Sequence, residues 1–245
     1  MIIIKLGGSI ITNKQKPLTA KPKIINTIVE KLKTVDEQYI IIHGGGSFGH
    51  YWSVKYNMHT EAKNYDKRGI SVVKNSMIEL NKIVLDVFYK NDLFPYVFPA
   101  SNFIDIDGKP IQKKIIEMKE ITEAGLIPIT YGDVLWYIDK KSYILSGDKI
   151  MTILAKLLKP RLCIFVLNEN GIYSDFNKKK LIYNLDDAKP DVKIINDATG
   201  GIKRKYEEAK LIKELKLKVF FTNGNKPSRI IDAINDVRFE GTTFE

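Results

Sequence analysis

Gly7-Gly8-Ser9, Gly44-Gly45-Gly46-Ser47-Phe48-Gly49-His50, Tyr131-Gly132-Asp133, Ser146-Gly147-Asp148 and Gly200-Gly201 each sit where an apolar run ends or a helical segment begins. Glycine at the carboxyl end of a strand lets backbone N–H groups close on an anion. A helix that starts there adds the positive end of its dipole. One such pair would be ordinary turn chemistry. Several in one chain, at the kind of strand end where open parallel sheets bind ligands, point to a phosphate-bearing ligand. His50 closes the longest segment.

The chain has no Walker A pattern. Gly44 to Gly49 reads G-G-G-S-F-G and fits G-x-G-x-x-G on its face. That fingerprint needs an acidic residue about 20 positions on, at the end of another strand. Glu61 and Asp66 fall instead in a polar stretch, which leaves nicotinamide binding a weak alternative. Other reactive residue types have plainer readings. His43 ends an apolar run and reads as structural; His59 lies in the polar stretch Asn57–Lys67 and reads as surface. Asp133 reads as a turn or helix cap as readily as a site residue. On spacing alone Lys14, in the polar Thr12–Lys16 turn, reads as surface, and Lys5 as a solvating strand charge. Cys163, the only cysteine, lies in an apolar run and reads as a buried thiol; the lack of disulfides fits a reducing compartment. No protein metal site is assigned.

The chain has 245 residues, with 39 Lys and Arg against 29 Asp and Glu, a formal charge of +10. That balance raises nucleic acid as a partner. Only five of the basic residues are arginine, however, and bidentate phosphate readers favour arginine. The lysines are scattered, the densest run being Lys178-Lys179-Lys180, so no nucleic acid is expected. No apolar run reaches the roughly 18 residues a membrane span needs, and Met1-Ile2-Ile3-Ile4 is too short for a signal peptide. A cytoplasmic protein without membrane contact is expected.

Positioning the glycine segments requires alternating strands and helices. Strands are expected at Ile2–Leu6, Tyr39–Ile42, Tyr96–Phe98, Leu126–Ile129, Leu162–Leu167 and Val219–Thr222. Helical periodicity marks Ile24–Leu32, Ile70–Phe88, Ile115–Ala124, Ile150–Leu158, Ile202–Leu215 and Ser228–Ile234, with Ser228 as an N-cap. Leu135–Ile138 and Tyr143–Leu145 read as a hairpin. Apolar, non-alternating strands between helices predict an α/β fold, a three-layer αβα sandwich around a mostly parallel open sheet. Residues 1–245 read as one domain, with an N-terminal lobe to about residue 160 and a C-terminal lobe over about 161–245.

Lys5-Leu6-Gly7-Gly8-Ser9, the His43–His50 loop, Tyr131-Gly132-Asp133, Ser146-Gly147-Asp148 and Thr199-Gly200-Gly201-Ile202-x-x-Lys205 occur in the order of the amino acid kinase superfamily. Within it, Lys5-x-Gly-Gly-Ser-x-Ile-Thr-x-Lys14 with Gly44–His50 resembles the isopentenyl phosphate kinases; a histidine at position 50 is shared with fosfomycin kinase, but not with the amino-acid and nucleotide kinases. The resemblance implies ATP-dependent phosphorylation of isopentenyl phosphate to isopentenyl diphosphate, as in a mevalonate-type isoprenoid route, with Mg²⁺ held mainly by the ATP phosphates, and a homodimer. It also implies roles. Lys5, Lys14, His50 and Asp148 are catalytic. Lys5, Gly7, Gly8, Ser9, Gly46, Asp148, Gly201 and Lys205 bind ATP in the C-terminal lobe and the loops facing it. Gly44, Gly45, Gly49, His50 and Gly132 bind the acceptor in the N-terminal lobe. Tyr51, Trp52, Tyr56 and Met58, with Val73, Met77 and Leu80, would line an apolar acceptor channel. Kinases of other small phosphates or phosphonates, and a non-catalytic ligand-binding protein, are the alternatives. The chain departs from the superfamily at Asn168 and Asn170, where many members carry acidic residues.

Overall fold

The structure, a computed structural model, describes residues 1–175, 180–186, 201–237 and 239–244. In chain order the elements are β1 (Ile2–Leu6), α1 (Gly8–Ile11), α2 (Pro22–Leu32), β2 (Tyr39–His43), α3 (Gly46–Lys55), α4 (Lys67–Lys90), β3 (Pro95–Val97), α5 (Gln112–Glu123), β4 (Ile127–Tyr131), β5 (Asp133–Tyr137), β6 (Lys141–Leu145), α6 (Gly147–Leu158), β7 (Leu162–Leu167), β8 (Ile172–Asp175), β9 (Lys180–Ile182), α7 (Gly201–Glu214), β10 (Lys218–Asn223), α8 (Ser228–Ile234) and β11 (Thr242–Phe244). The seven-stranded sheet runs β11-β10-β7-β1-β2-β4-β3, parallel throughout except that β11 opposes β10. β1 lies inside it, with later strands added outward on both sides. Strand order reverses there, which is where open parallel sheets take ligands.

The period of two along each strand divides the core. Ile2, Ile4 and Leu6 of β1 point to one face and pack with Ile25, Ile28 and Leu32 of α2 and Leu80 and Val84 of α4; α1 and α8 complete that layer. Ile3 points to the other face, with Phe165 of β7, Ile150 and Leu154 of α6, and Ile212 of α7. Helices therefore cover both faces of a mostly parallel sheet, as the strand pattern requires. Cys163 is fully buried in the second layer, and burial raises its thiol well above the usual range, so it behaves as an inert packing residue. The β5–β6 hairpin and β8–β9 are small separate sheets.

Local signals explain two of the helix starts. Asp66 caps α4 through Gly69 N–H at 3.0 Å, and Ser146 caps α6 through Lys149 N–H at 3.1 Å. Ser228 is not the expected cap: Pro227 holds that position and Ser228 is the first helical residue. The segments after β1 and β2, read above as glycine loops, wind into α1 and α3. Glycine has low helix propensity, and apolar residues do not recur at helical spacing along α3. Thr199, Gly200, Lys178 and Lys179 lie outside the described residues. No helix among the described residues is long and apolar enough to cross a membrane.

Candidate active site

β1 and β2 pair Leu6 with His43, so the segments that follow leave the sheet side by side. Gly44 donates its N–H to Leu6 O at 3.0 Å and Gly7 to Val166 O at 2.9 Å. Beyond these bonds the two segments touch. A Cβ on Gly8 would lie 2.2 Å from Gly46 N, and one on Gly46, whose φ is +48°, would lie 2.0 Å from Thr12 Oγ1. Only glycine fits at either position. Among the described residues, the N–H groups of Gly8, Ser9, Gly45 and Gly46 meet no acceptor within the chain. They lie at the first turns of α1 and α3 and form a cradle of free donors.

Thr12 holds the cradle together. Its buried hydroxyl donates to Gly8 O at 2.7 Å and accepts from Ser47 N–H at 2.9 Å. Ser47 Oγ accepts from Thr19 N–H at 3.3 Å, and Asn13 donates its N–H to Thr19 O at 2.8 Å. The turn that carries exposed Lys14 is thus closed at its base and fastened to α3.

Lys5 takes the α6 face of β1, as Ile3 does, and is only 3% exposed. Its ammonium donates to Asp148 Oδ1 at 2.5 Å, and Lys205 and Arg204 reach Asp148 Oδ2 at 3.5 and 3.2 Å. Lys205 also donates to Gly201 O at 3.1 Å. Burial pulls Lys5 down to about 8, opposed by Asp148, so the ammonium still prevails at pH 7. Burial acts to raise Asp148, but Lys5, Lys205 and Arg204 together hold it well below the usual carboxylate range. One buried carboxylate thus gathers three cations from β1 and α7 beside the cradle. Arg204 is part of this cluster, although the Gly-Gly-x-x-x-Lys spacing singles out Lys205 alone; Lys203 is exposed.

His50 is exposed on α3, one turn past Gly46 and on the same helix face. His43 is fully buried, facing Asn81 Oδ1 at 3.1 Å and Gly44 O at 3.2 Å, and burial lowers it to about 4. Gly132 donates its N–H to His43 O at 3.1 Å, and a Cβ on it would meet Gly147 N at 2.9 Å, so it joins β4 to α6. Gly49 packs against Met77 Sδ, as Gly45 does. Asp133 caps neither a turn nor a helix: it opens β5, accepts from Val134 N–H at 2.8 Å and is ion-paired with Lys74 of α4. Beside α3, Met58, Val73 and Val134 form a small apolar cluster flanked by Trp52, Tyr56, Tyr65, Ile70 and Ile144. Leu80 packs in the core under the sheet instead, and Met77 reaches the site only through Gly45 and Gly49.

Asn170 Oδ1 accepts from Asn223 at 2.9 Å and Arg229 at 2.8 Å, while its amide donates to Glu240 Oε1 at 2.7 Å. Asn168 Oδ1 accepts from Asn225 at 3.3 Å. The amides thus tie together the carboxyl ends of β7 and β10, and Glu240 supplies a carboxylate beside them.

The model of the amino acid kinase family matches residues 1–223. The chain is 36% identical to the isopentenyl phosphate kinase of Thermoplasma acidophilum, over all of both chains. It is 30% identical to that of Methanocaldococcus jannaschii, over 100% of this chain and 98% of the relative. Among solved structures, the T. acidophilum isopentenyl phosphate kinase product complex superposes with a TM-score of 0.83 at 33% identity, over 100% of both chains. An isopentenyl phosphate kinase substrate complex also gives 0.83, at 31% identity, over 100% of this chain and 99% of that one. The chain belongs to the amino acid kinase family, and within it to the isopentenyl phosphate kinases.

Proposed function

We propose that the chain transfers the γ-phosphoryl group of ATP to isopentenyl phosphate, giving isopentenyl diphosphate and ADP. The observation that carries this reading is the cradle of free N–H groups at Gly8, Ser9, Gly45 and Gly46, flanked by Lys5, Lys205 and Arg204 on one side and His50 on the other. The acceptor is a phosphate monoester, ionised at neutral pH, so no general base is needed. An acceptor oxygen bonds to the γ-phosphorus while the bond from that phosphorus to the β,γ-bridging oxygen breaks, and ADP leaves. The difficulty is bringing two polyanions together, which fixed cations and backbone donors overcome.

In this reading Lys5 bridges the transferred group and the nucleotide, and Asp148 fixes its direction and that of Lys205. Lys14 reaches the β- and γ-phosphates from its fastened turn. Gly7, Gly8, Ser9, Gly46 and Gly201 surround the ATP phosphates. Gly44 and Gly45 face the acceptor, with His50 donating to its phosphate. Gly49 and Gly132 shape that side by close packing. The apolar cluster of Met58, Val73 and Val134, with Trp52 and Tyr56, receives the isoprenoid tail. Mg²⁺ is bound in proteins largely through substrate phosphates. Both oxygens of Asp148 are engaged by cations, so Mg²⁺ would be carried by the ATP phosphates, whose negative charge it would neutralise. The N-terminal lobe takes the acceptor and the C-terminal lobe ATP. We also infer a cytoplasmic homodimer: edge strand β3 and its flanks expose Phe94, Tyr96 and Val97.

ADP release is measured with isopentenyl phosphate, fosfomycin, uridylate and glutamate as acceptors. Isopentenyl phosphate should turn over far faster than the rest. Its failure to turn over would overturn the reading.

A further inference from the structure

Outside the Asp148 cluster, a second buried carboxylate stands beside the glycine segments. The side chain of Asp133 is closed to solvent, whereas that of Lys74, its ion-pair partner, keeps 35% of its surface open. Burial raises Asp133, and Lys74 pulls it back toward the charged form. No step in the mechanism above uses this pair.

Its place is fixed from two directions. Lys74 lies one helical turn before Met77, on the same stripe of α4, and Met77 Sδ packs on Gly45 and Gly49. Ser76, between them in sequence, donates to Phe48 O at 3.1 Å, which pins this part of α4 to the first turn of α3. From the other side, Asp133 follows Gly132, whose N–H is bonded to His43 O, and His43 precedes Gly44. Lys74 therefore brings an ammonium to the junction of α3, α4 and the carboxyl end of β4. Lys5, Lys205 and Arg204 converge on the opposite side, at the start of α6. Val73 and Val134, the neighbours of these two residues in sequence, line the apolar cluster, so the pair sits where that cluster meets the glycines.

We propose that Lys74 is a further acceptor-binding residue, one that rests on the kinase reading above: its ammonium, oriented by Asp133, contacts the phosphate of a small phosphomonoester with an apolar tail. An anion brought to Gly45 comes to the side of the site where Lys74 offsets the buried charge of Asp133. The Lys74 side chain is not closed over, so its ammonium, with three donors, can bind a phosphate oxygen while it keeps its buried carboxylate. Asp133 acts through Lys74 and is a positioning residue.

The test is steady-state kinetics of Lys74→Met and Lys74→Arg with isopentenyl phosphate and ATP varied separately. Lys74→Met should raise KM for isopentenyl phosphate by about tenfold or more, since a charge-assisted bond is lost. KM for ATP should stay within about twofold, and Lys74→Arg should restore most of the acceptor affinity. If Lys74→Met fails to fold around the unpaired Asp133, the Lys74→Met/Asp133→Asn double variant removes that charge and reads the same KM. An unchanged acceptor KM, or equal losses for both substrates, overturns the proposal. Wild-type protein that does not turn over isopentenyl phosphate overturns the kinase reading itself, so the two failures are distinguishable.

Discussion

At the scale of single residues, two histidines seven positions apart sit in opposite settings. His50 stands exposed on α3, and the proposed function gives it the acceptor phosphate. Replacing it by alanine should lower turnover of isopentenyl phosphate by about a hundredfold or more, the scale of losing one oriented donor to a reacting oxyanion. KM for ATP should hardly move; an equal loss of ATP affinity would contradict an acceptor-side role. His43 is buried and held neutral, with its pKa lowered from 6.5 to about 4. The unfolded chain therefore binds the proton more readily, and stability is lost as pH falls from about 6.5 toward 4. Urea unfolding should show about 2 kcal/mol less stability at pH 5 than at pH 7 from this residue alone. His43→Gln should flatten that part of the profile, and an unchanged slope would refute the assignment. The buried setting of His43 was legible in sequence, because it ends an apolar run; His50 stands out there because it closes a glycine segment. Lys74 left no local signal, because it meets Asp133 across 59 residues of chain, whereas Arg204 stands next to the motif lysine.

At the scale of elements, the site depends on two segments that approach closer than any side chain allows. Thr12 fixes their separation from the end of α1, and Ser47 extends the same network to the Lys14 turn. Thr12→Val keeps the shape but leaves Gly8 O and Ser47 N–H unpaired, at a cost of about 1–3 kcal/mol. It should also lower kcat more than either KM, because bound substrates would be misaligned rather than lost, and Thr12→Ser should recover most of the rate. Equal activity in Thr12→Val would show that the cradle holds without this hydroxyl. The strands and long helices were legible here because continuous apolar runs and the 3.6-residue stripe of α4 both report burial. α1, α3 and β11 were not. Glycine-rich helix starts lack periodicity, and β11 is held by pairing with β10 and by Thr242, whose hydroxyl donates to Ile182 O at 2.6 Å. Such long-range bonds leave no local signal.

At the scale of the whole molecule, the positive charge separates into two populations. Most of the 39 basic residues are lysines spread along the chain, and only a few converge on the strand ends where the sheet order reverses. The spread charge gives a field that favours capture of anions and is screened by salt. The placed charge is Lys5 with Lys205 and Arg204 around Asp148, and Lys14 on its fastened turn; the proposed function assigns the transfer to it. That two anions are held across one cradle for direct transfer is the central claim. ³¹P NMR of the protein with MgATP and isopentenyl phosphate follows it most directly. The monoester resonance should convert to the two coupled resonances of a diphosphate, one diphosphate for each ADP formed. ADP appearing with inorganic phosphate, while the monoester resonance stays unchanged, would contradict it.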